Sequence, residues 1–536
     1  MRGTILLLMP LLGLATAQEI PLKVLVVMVR WSNHANRALL PKEQMLQLWN
    51  GPGFTSDDLI PGESINDWMK SNSYGKYKIE AEVVDWFMVP QTEKQASGFD
   101  IDIEDILLPA LENAAANGYD MKKYANKGND IRGVVFAHSG YDALLGGEDC
   151  ETGASYQDRV VSKAWGTRKD IGNTGYSLIS FSTMAAYRGK CDLKLQRIGV
   201  PIHEWLHASI FQLYDLYDLG GRYGNSNTAV GGIGSYGIMS FPGGQRVGKF
   251  QYPGILCPYH RMEIGALEPI EITQDGIFTA RASAIYKDVY RISEPYPDGE
   301  YLLIENRQPV LSDIDIWKPG GILIWHIDEN VNGVGNTYRG GPFQEGWPRN
   351  GNHYKVALLQ ADGAYELEMA MNMGHLADFW QTGQSLGPGN GESVATDEGT
   401  YPNTDSYAGG NIQVTGLVID LFQDLGDGIW SFRVNGLVPG DPTSEPSKAP
   451  SMPTTSPPPP TLSPTKKPTK NPTKAPTSTP PPTKKPTPTQ TIKPTPTLSP
   501  SQCLVEVSTT ECNDLMSDVT PVQAVSYTHL TLPTKA

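Results

Sequence analysis

The chain has 536 residues, 43 Lys and Arg against 58 Asp and Glu, and a formal charge of −15. That acidic balance, with no basic face, argues against nucleic acid as a partner. Hydrophobic residues make up 39%, ample for one or two buried cores, and beyond the leader no apolar run reaches the roughly 18 residues of a transmembrane helix.

In chain order, Met1-Arg2 opens a short charged region, residues 5–14 are apolar, and Ala15-Thr16-Ala17 fits a small-x-small cleavage site. Residues 1–17 therefore read as a signal peptide, because the apolar run is too short to span a membrane. The protein is expected to be secreted, extracellular or cell wall-associated. From Gln18, strand-like runs at 24–29, 83–87 and 133–137 alternate with a helical stretch at 103–115. That alternation predicts an α/β layer, with the helix that follows packed beneath it.

His203-Glu204-Trp205-Leu206-His207 is an H-E-x-x-H pattern. Pro201 suits the first turn of a helix, and Ile202, Leu206, Ser209 and Ile210 continue one helical face. Residues i and i+4 lie one turn apart on that face. Two neutral imidazoles so placed hold one Zn²⁺ at about 2.0–2.1 Å each. Glu204 then points to the open coordination position, where it acts as general base on a metal-bound water. Farther on, residues 231–240 form a Gly-rich turn that reaches Met239, a soft hydrophobic floor for the two His ligands.

Several segments together resemble the M6 family of secreted zinc metalloproteases, the immune inhibitor A type. The zinc helix, the Asp215-Leu216-Tyr217-Asp218 run and the Met239 turn carry the likeness. So do the opening strand at 24–29, Asn72-Ser73-Tyr74-Gly75-Lys76, and the strands at 301–308 and 321–328. It covers roughly residues 20–435. It implies a metzincin-like zinc peptidase fold of α/β (α+β) class over 18–268, followed by a β-sandwich-like subdomain over 269–438. It also implies an acidic third zinc ligand, Asp215 by preference, then Asp218, with Glu263 of a later helix as a third choice. Solvated loop acids or a calcium pair are the plainer reading of Asp215 and Asp218. Ile210 stands where the family has a Gly that turns the chain back, and the D-L-Y-D run falls two residues late. Tyr236-Gly237 replaces Trp-Asp in the turn, and Tyr236 is at best a weak oxyanion contact beside its plainer role as a packed side chain. Relatives carry a long pro-segment, for which the reading from Gln18 leaves no room.

Residues from about 270 to 435 read as short strands between Gly, Pro and Asp turns. His326 lies within one of them and reads as a packed, hydrogen-bonded histidine. Asp100-Ile101-Asp102 and Asp313-Ile314-Asp315 are candidate calcium ligands, although short acid pairs more often form solvated faces. Five cysteines are few for an exported protein, and Cys150 with Cys191 would tie a loop before the zinc helix. Residues 439–501 are filled with Pro, Thr, Ser and Lys, and read as a disordered, extended and O-glycosylated linker. Its lysines could hold extracellular polysaccharide, or simply solubilise it. Cys503 and Cys512 begin a truncated module over 502–524, and 525–536 read as a translated sequencing adapter, left out of fold reasoning.

The sequence thus predicts a secreted zinc endopeptidase acting on protein or peptide substrates, with His203, His207 and Asp215 on the metal and Glu204 as general base. Two other classes stay open. One is a catalytically inactive, peptidase-like adhesion or wall-binding glycoprotein. The other is an exported protein whose zinc is only structural, which four protein ligands would indicate.

Overall fold

The computed structural model describes residues 19–51, 62–97, 102–143, 146–188, 193–218, 231–244, 252–331, 335–336, 353–391 and 401–437. The expected signal peptide (1–17), Asp100, Cys191, the expected linker (439–501), Cys503, Cys512 and residues 525–536 lie outside them.

The first part is built on one sheet. Strand β1 (Ile20–Arg30) is one of its inner strands, and its near-continuous apolar run is what a parallel strand covered on both faces requires. Helices α1 (Lys42–Asn50) and α2 (Ile65–Asn72) lead to β2 (Tyr77–Met88), parallel to β1. Short α3 (Glu93–Ala96) and longer α4 (Ile103–Ala116) follow. They lead through β3 (Ala125–Lys127) to β4 (Asp130–Tyr141), which pairs parallel to the other side of β1. Strand β5 (Lys163–Asp170) then turns into β6 (Ser177–Tyr187), giving the order β2-β1-β4-β6-β5 with β5 antiparallel at the edge.

Alternation along β1 divides two cores. Val24, Val26 and Met28 join Trp49 of α1, Trp68 of α2 and the residues of α5 (Gly199–Ala208) on one face. Leu25, Val27 and Val29 meet Leu107, Ala110 and Leu111 of α4 on the other. Period-2 side-chain direction explains that division.

After α5 comes the two-stranded pair β7 (Tyr217–Asp218) and β8 (Gly231–Gly232), then α6 (Pro258–Glu263). The remainder is β-rich. Strands β9 (Ile270–Glu271), β11 (Tyr290–Ile292), β12 (Glu300–Arg307), β13 (Gly321–Asp328) and β14 (Val356–Leu358) form one sheet. Strands β10 (Gly276–Ala280), β15 (Val418–Gly426) and β16 (Ile429–Asn435) form another. Leu302, Ile304, Ile322 and Ile324 of the first sheet share a core with Ile419, Trp430 and Phe432 of the second. The opposite faces of β12 and β13, through Leu303 and Trp325, pack with Leu216, Ile233 and Tyr236 from the first part. The described chain is therefore mixed α/β, with several sheets and few helices. None of its helices is long and apolar enough to cross a membrane. Cys150 is disulfide-bonded, and Cys257 is a free, buried thiol.

Candidate metal centre

Helix α5 packs against β4, β5 and β6. It ends one residue after His207, at Ala208, whose carbonyl accepts the Ser180 hydroxyl at 2.6 Å. The expected helical face through Ser209 and Ile210 is thus shorter in fact. Ser209 is already extended (φ −73°, ψ −175°), and Ile210 is exposed. The left-handed turn falls at Gln212 (φ 50°) rather than at residue 210. This placement brings the Leu213 carbonyl back onto His207.

Two carbonyls fix both imidazoles. His203 Nδ1 lies 2.8 Å from the Ile238 oxygen, and His207 Nδ1 lies 2.6 Å from the Leu213 oxygen. A carbonyl only accepts, so each Nδ1 carries a proton, and in the neutral ring each Nε2 presents its lone pair. The two Nε2 atoms are 3.2 Å apart. Asp215 Oδ1 lies 3.3 Å from the first and 2.9 Å from the second. That oxygen is buried and has hydrogen-bond geometry to no donor. A tetrahedral ion with bonds of about 2.0–2.1 Å spaces its ligand atoms roughly 3.3 Å apart. Three lone-pair atoms at that spacing repel one another unless a cation or protons lie between them, and the donor set fits zinc.

The electrostatics agree. Burial depresses the His207 imidazolium, but the Asp215 carboxylate outweighs burial and raises it to about 9. Burial pushes the Asp215 carboxyl up, yet His207 and His203 hold it well below the ordinary carboxylate range. Glu204 Oε1 stands 4.0 Å from His203 Nε2. Burial raises the Glu204 carboxyl, partly offset by the two imidazoles, and the Ala164 backbone N–H of β5 donates to it. Lys163 lies close by: burial lowers its ammonium, and the Glu204 charge opposes that.

The Gly-rich turn reaches His203 through its backbone. Ile238 supplies the carbonyl that holds His203, and Met239, fully buried in the same core as Trp205 and Leu206, accepts the Leu216 N–H at 2.8 Å. Gly232 (φ 113°) is there because a Cβ would come within 2.1 Å of the Leu216 oxygen.

Other candidates lie elsewhere. Asp218 is buried and accepts the Tyr354 hydroxyl at 3.2 Å. Glu263 is exposed on α6, its carboxyl raised by partial burial of the group and by Glu329. Neither joins the trio formed by His203, His207 and Asp215. Tyr236 is packed, as its plainer reading has it, with its hydroxyl 2.8 Å from both Asp378 Oδ2 and the His375 oxygen. His326 Nε2 sits 2.7 Å from Glu300 Oε1, and its ring stacks on Tyr407. Asp313 is buried and clamped by Arg307 through two nitrogens, which uses it as an ion-pair partner rather than as a solvated acid.

Sequence reasoning missed His260. It is buried on α6, where burial and then the His207 charge depress it to about 3, keeping it neutral beside the trio. In the sequence it carries no spacing signal of its own and stands only as a neighbour of Glu263. No protein-family model matches this chain, and no curated protein matches it.

Proposed function

We propose that the chain is a secreted, metzincin-like zinc endopeptidase of the M6 type. The observation that carries this reading is the convergence of His203 Nε2, His207 Nε2 and Asp215 Oδ1, with Glu204 beside them. Three protein ligands leave a tetrahedral ion one open position, which distinguishes a catalytic from a closed structural site. When bound, Zn²⁺ acidifies a water and polarises the scissile carbonyl.

The chain's own residues supply the rest. The Ile238 and Leu213 carbonyls hold both imidazoles in one tautomer and orientation. Glu204, with its proton affinity raised by burial, takes the proton of the attacking water and returns it to the leaving amine. Strand β5 is the edge of its sheet and contacts Glu204 through Ala164. An open strand edge beside the general base suits an extended peptide, which adds to it through main-chain hydrogen bonds.

The test is casein digestion by the full chain against Glu204→Ala, with bound zinc measured in both. The variant keeps its zinc and loses activity by about 10²–10⁴-fold. Equal digestion by both proteins overturns the mechanism. No digestion by zinc-loaded wild type favours a non-catalytic adhesion body.

A further inference from the structure

A second cluster of buried ligand-type side chains lies far from Glu204 in sequence. It sits where the sheet order reverses: from β1 the chain goes to β2 on one side, then crosses to β4 on the other. The carboxyl ends of strands at such a reversal diverge and leave a crevice. His34, in the turn after β1, Glu93 at the start of α3, and Asp149 beyond β4 meet there. All three are at most 1% exposed.

Their ligand atoms lie within 4.8 Å of one another. His34 Nε2 is 3.4 Å from Glu93 Oε2, yet neither atom makes a hydrogen bond. His34 Nδ1 sits 2.9 Å from Ser139 Oγ. Ser139 Oγ also accepts the Trp31 N–H at 3.1 Å, while Arg37 Nη1 donates to the Ser139 backbone carbonyl at 2.7 Å and is farther, 3.4 Å, from His34 Nδ1. An ion on Nε2 requires the His34 proton on Nδ1, where Ser139 Oγ can accept it, and the Nε2 lone pair then faces a carboxylate oxygen that has no hydrogen bond. The same signature marks the first centre, where Asp215 Oδ1 stands 3.3 Å from His203 Nε2, also without a hydrogen bond.

The surroundings are shaped for this. A Cβ on Gly140 would fall 2.1 Å from Glu93 Oε1, so only glycine admits that carboxylate to the crevice. Glu93 Oε1 accepts the Val160 N–H at 3.3 Å, turning Oε2 inward. Asp149 is oriented by Arg37 Nη2 at 2.5 Å and by the N–H groups of Glu151 and Thr152 at 2.9 and 3.1 Å. Outer hydrogen bonds of this kind are how ligating carboxylates are held. His138 closes the wall. Its Nδ1 accepts from Gly140 N, so its protonated Nε2 is no ligand.

We propose that this crevice is a second divalent-metal site, coordinated by His34 Nε2, Glu93 Oε2 and a carboxylate oxygen of Asp149. Imidazole with two carboxylates suits Zn²⁺ or Mn²⁺ better than Ca²⁺, which takes oxygen ligands. The ion ties the ends of β1 and β4 to α3, and its role is structural. The inference does not depend on the endopeptidase reading.

The test titrates metal-free full chain with Zn²⁺ alone, and separately with Mn²⁺ alone, and counts bound ions after gel filtration. Wild type retains two equivalents of Zn²⁺. Glu93→Gln and His34→Ala each retain one, and the double variant His203→Ala/His207→Ala also retains one. Two equivalents in His34→Ala, or none in the His203→Ala/His207→Ala protein, overturns the proposal. The double variant leaves the crevice intact and decides the matter even where Glu93→Gln does not fold. One equivalent in wild type, lost in His34→Ala but kept in the double variant, supports this site while sinking the catalytic centre. Retention of Mn²⁺ dependent on His34 and Glu93 identifies the harder ion as the occupant.

Discussion

At the scale of single residues, the first centre sets a proton against a cation. Without an ion, His207 keeps its proton until pH climbs to about 9, because the Asp215 charge outweighs the burial that opposes it. A zinc ion entering at pH 7 must therefore displace that proton. Calorimetric titration in buffers of different ionisation enthalpy is expected to report about one proton released per zinc at this site. The apparent affinity should rise about tenfold per pH unit toward pH 9, then level off. The sign for stability follows from the same shift. A raised imidazole stabilises the metal-free fold fully below its ordinary value, and that contribution is lost as pH rises through about 9. Chelated protein should therefore unfold at lower urea at pH 10 than at pH 7. A zinc affinity that is flat from pH 6 to 9 would contradict the pairing of His207 with Asp215.

At the scale of elements, the turn after α5 delivers Asp215, the proposed third ligand. The chain turns at Gln212 in a left-handed conformation (φ 50°) that β-branched residues resist. Gln212→Val should cost about 1–2 kcal/mol and weaken zinc retention, because Leu213 and Asp215 follow immediately. Gln212→Gly should keep retention intact, since glycine adopts this backbone freely. Chelator competition on the two variants checks this, and equal affinities would show that the turn does not position the ligands. The helix and its two imidazoles were legible in the sequence, because four-residue spacing on a helix is a local property. So were β1, β2, β4 and α4, whose apolar periodicity needs no partner to be read. Asp215 could be preferred but not isolated from Asp218, because what separates them is distant. The Asn336 N–H donates to the Asp215 backbone carbonyl at 3.2 Å, and Asp218 turns to Tyr354. His34, Glu93 and Asp149 escaped notice for the same reason. They share no spacing motif and meet only because β1 and β4 are neighbours.

At the scale of the whole molecule, the two parts of the chain on either side of residue 268 depend on one another. Leu216, Ile233 and Tyr236, all at most 1% exposed, are covered by Leu303, Leu323 and Trp325 of the later sheet. Arg307 on β12 donates to the Tyr236 oxygen at 3.0 Å, and Asn336 holds the backbone of Asp215. A fragment ending at 268 would uncover those three side chains, at roughly 1.5–3 kcal/mol each. The sum is comparable to the whole stability of an ordinary domain, about 5–15 kcal/mol. Residues 18–268 alone should therefore fail to unfold cooperatively and fail to retain zinc at His203 and His207. The full chain should show one transition in which zinc release and loss of ellipticity coincide. Urea unfolding followed by circular dichroism, with zinc release read by a chromophoric chelator, distinguishes the outcomes. A fragment that melts sharply and binds zinc as tightly as the full chain would mean that the β-rich part only flanks the site. Loss of both in the fragment would mean that the sheet of β12 and β13 supports the third ligand, which makes the metal centre a property of the joined halves.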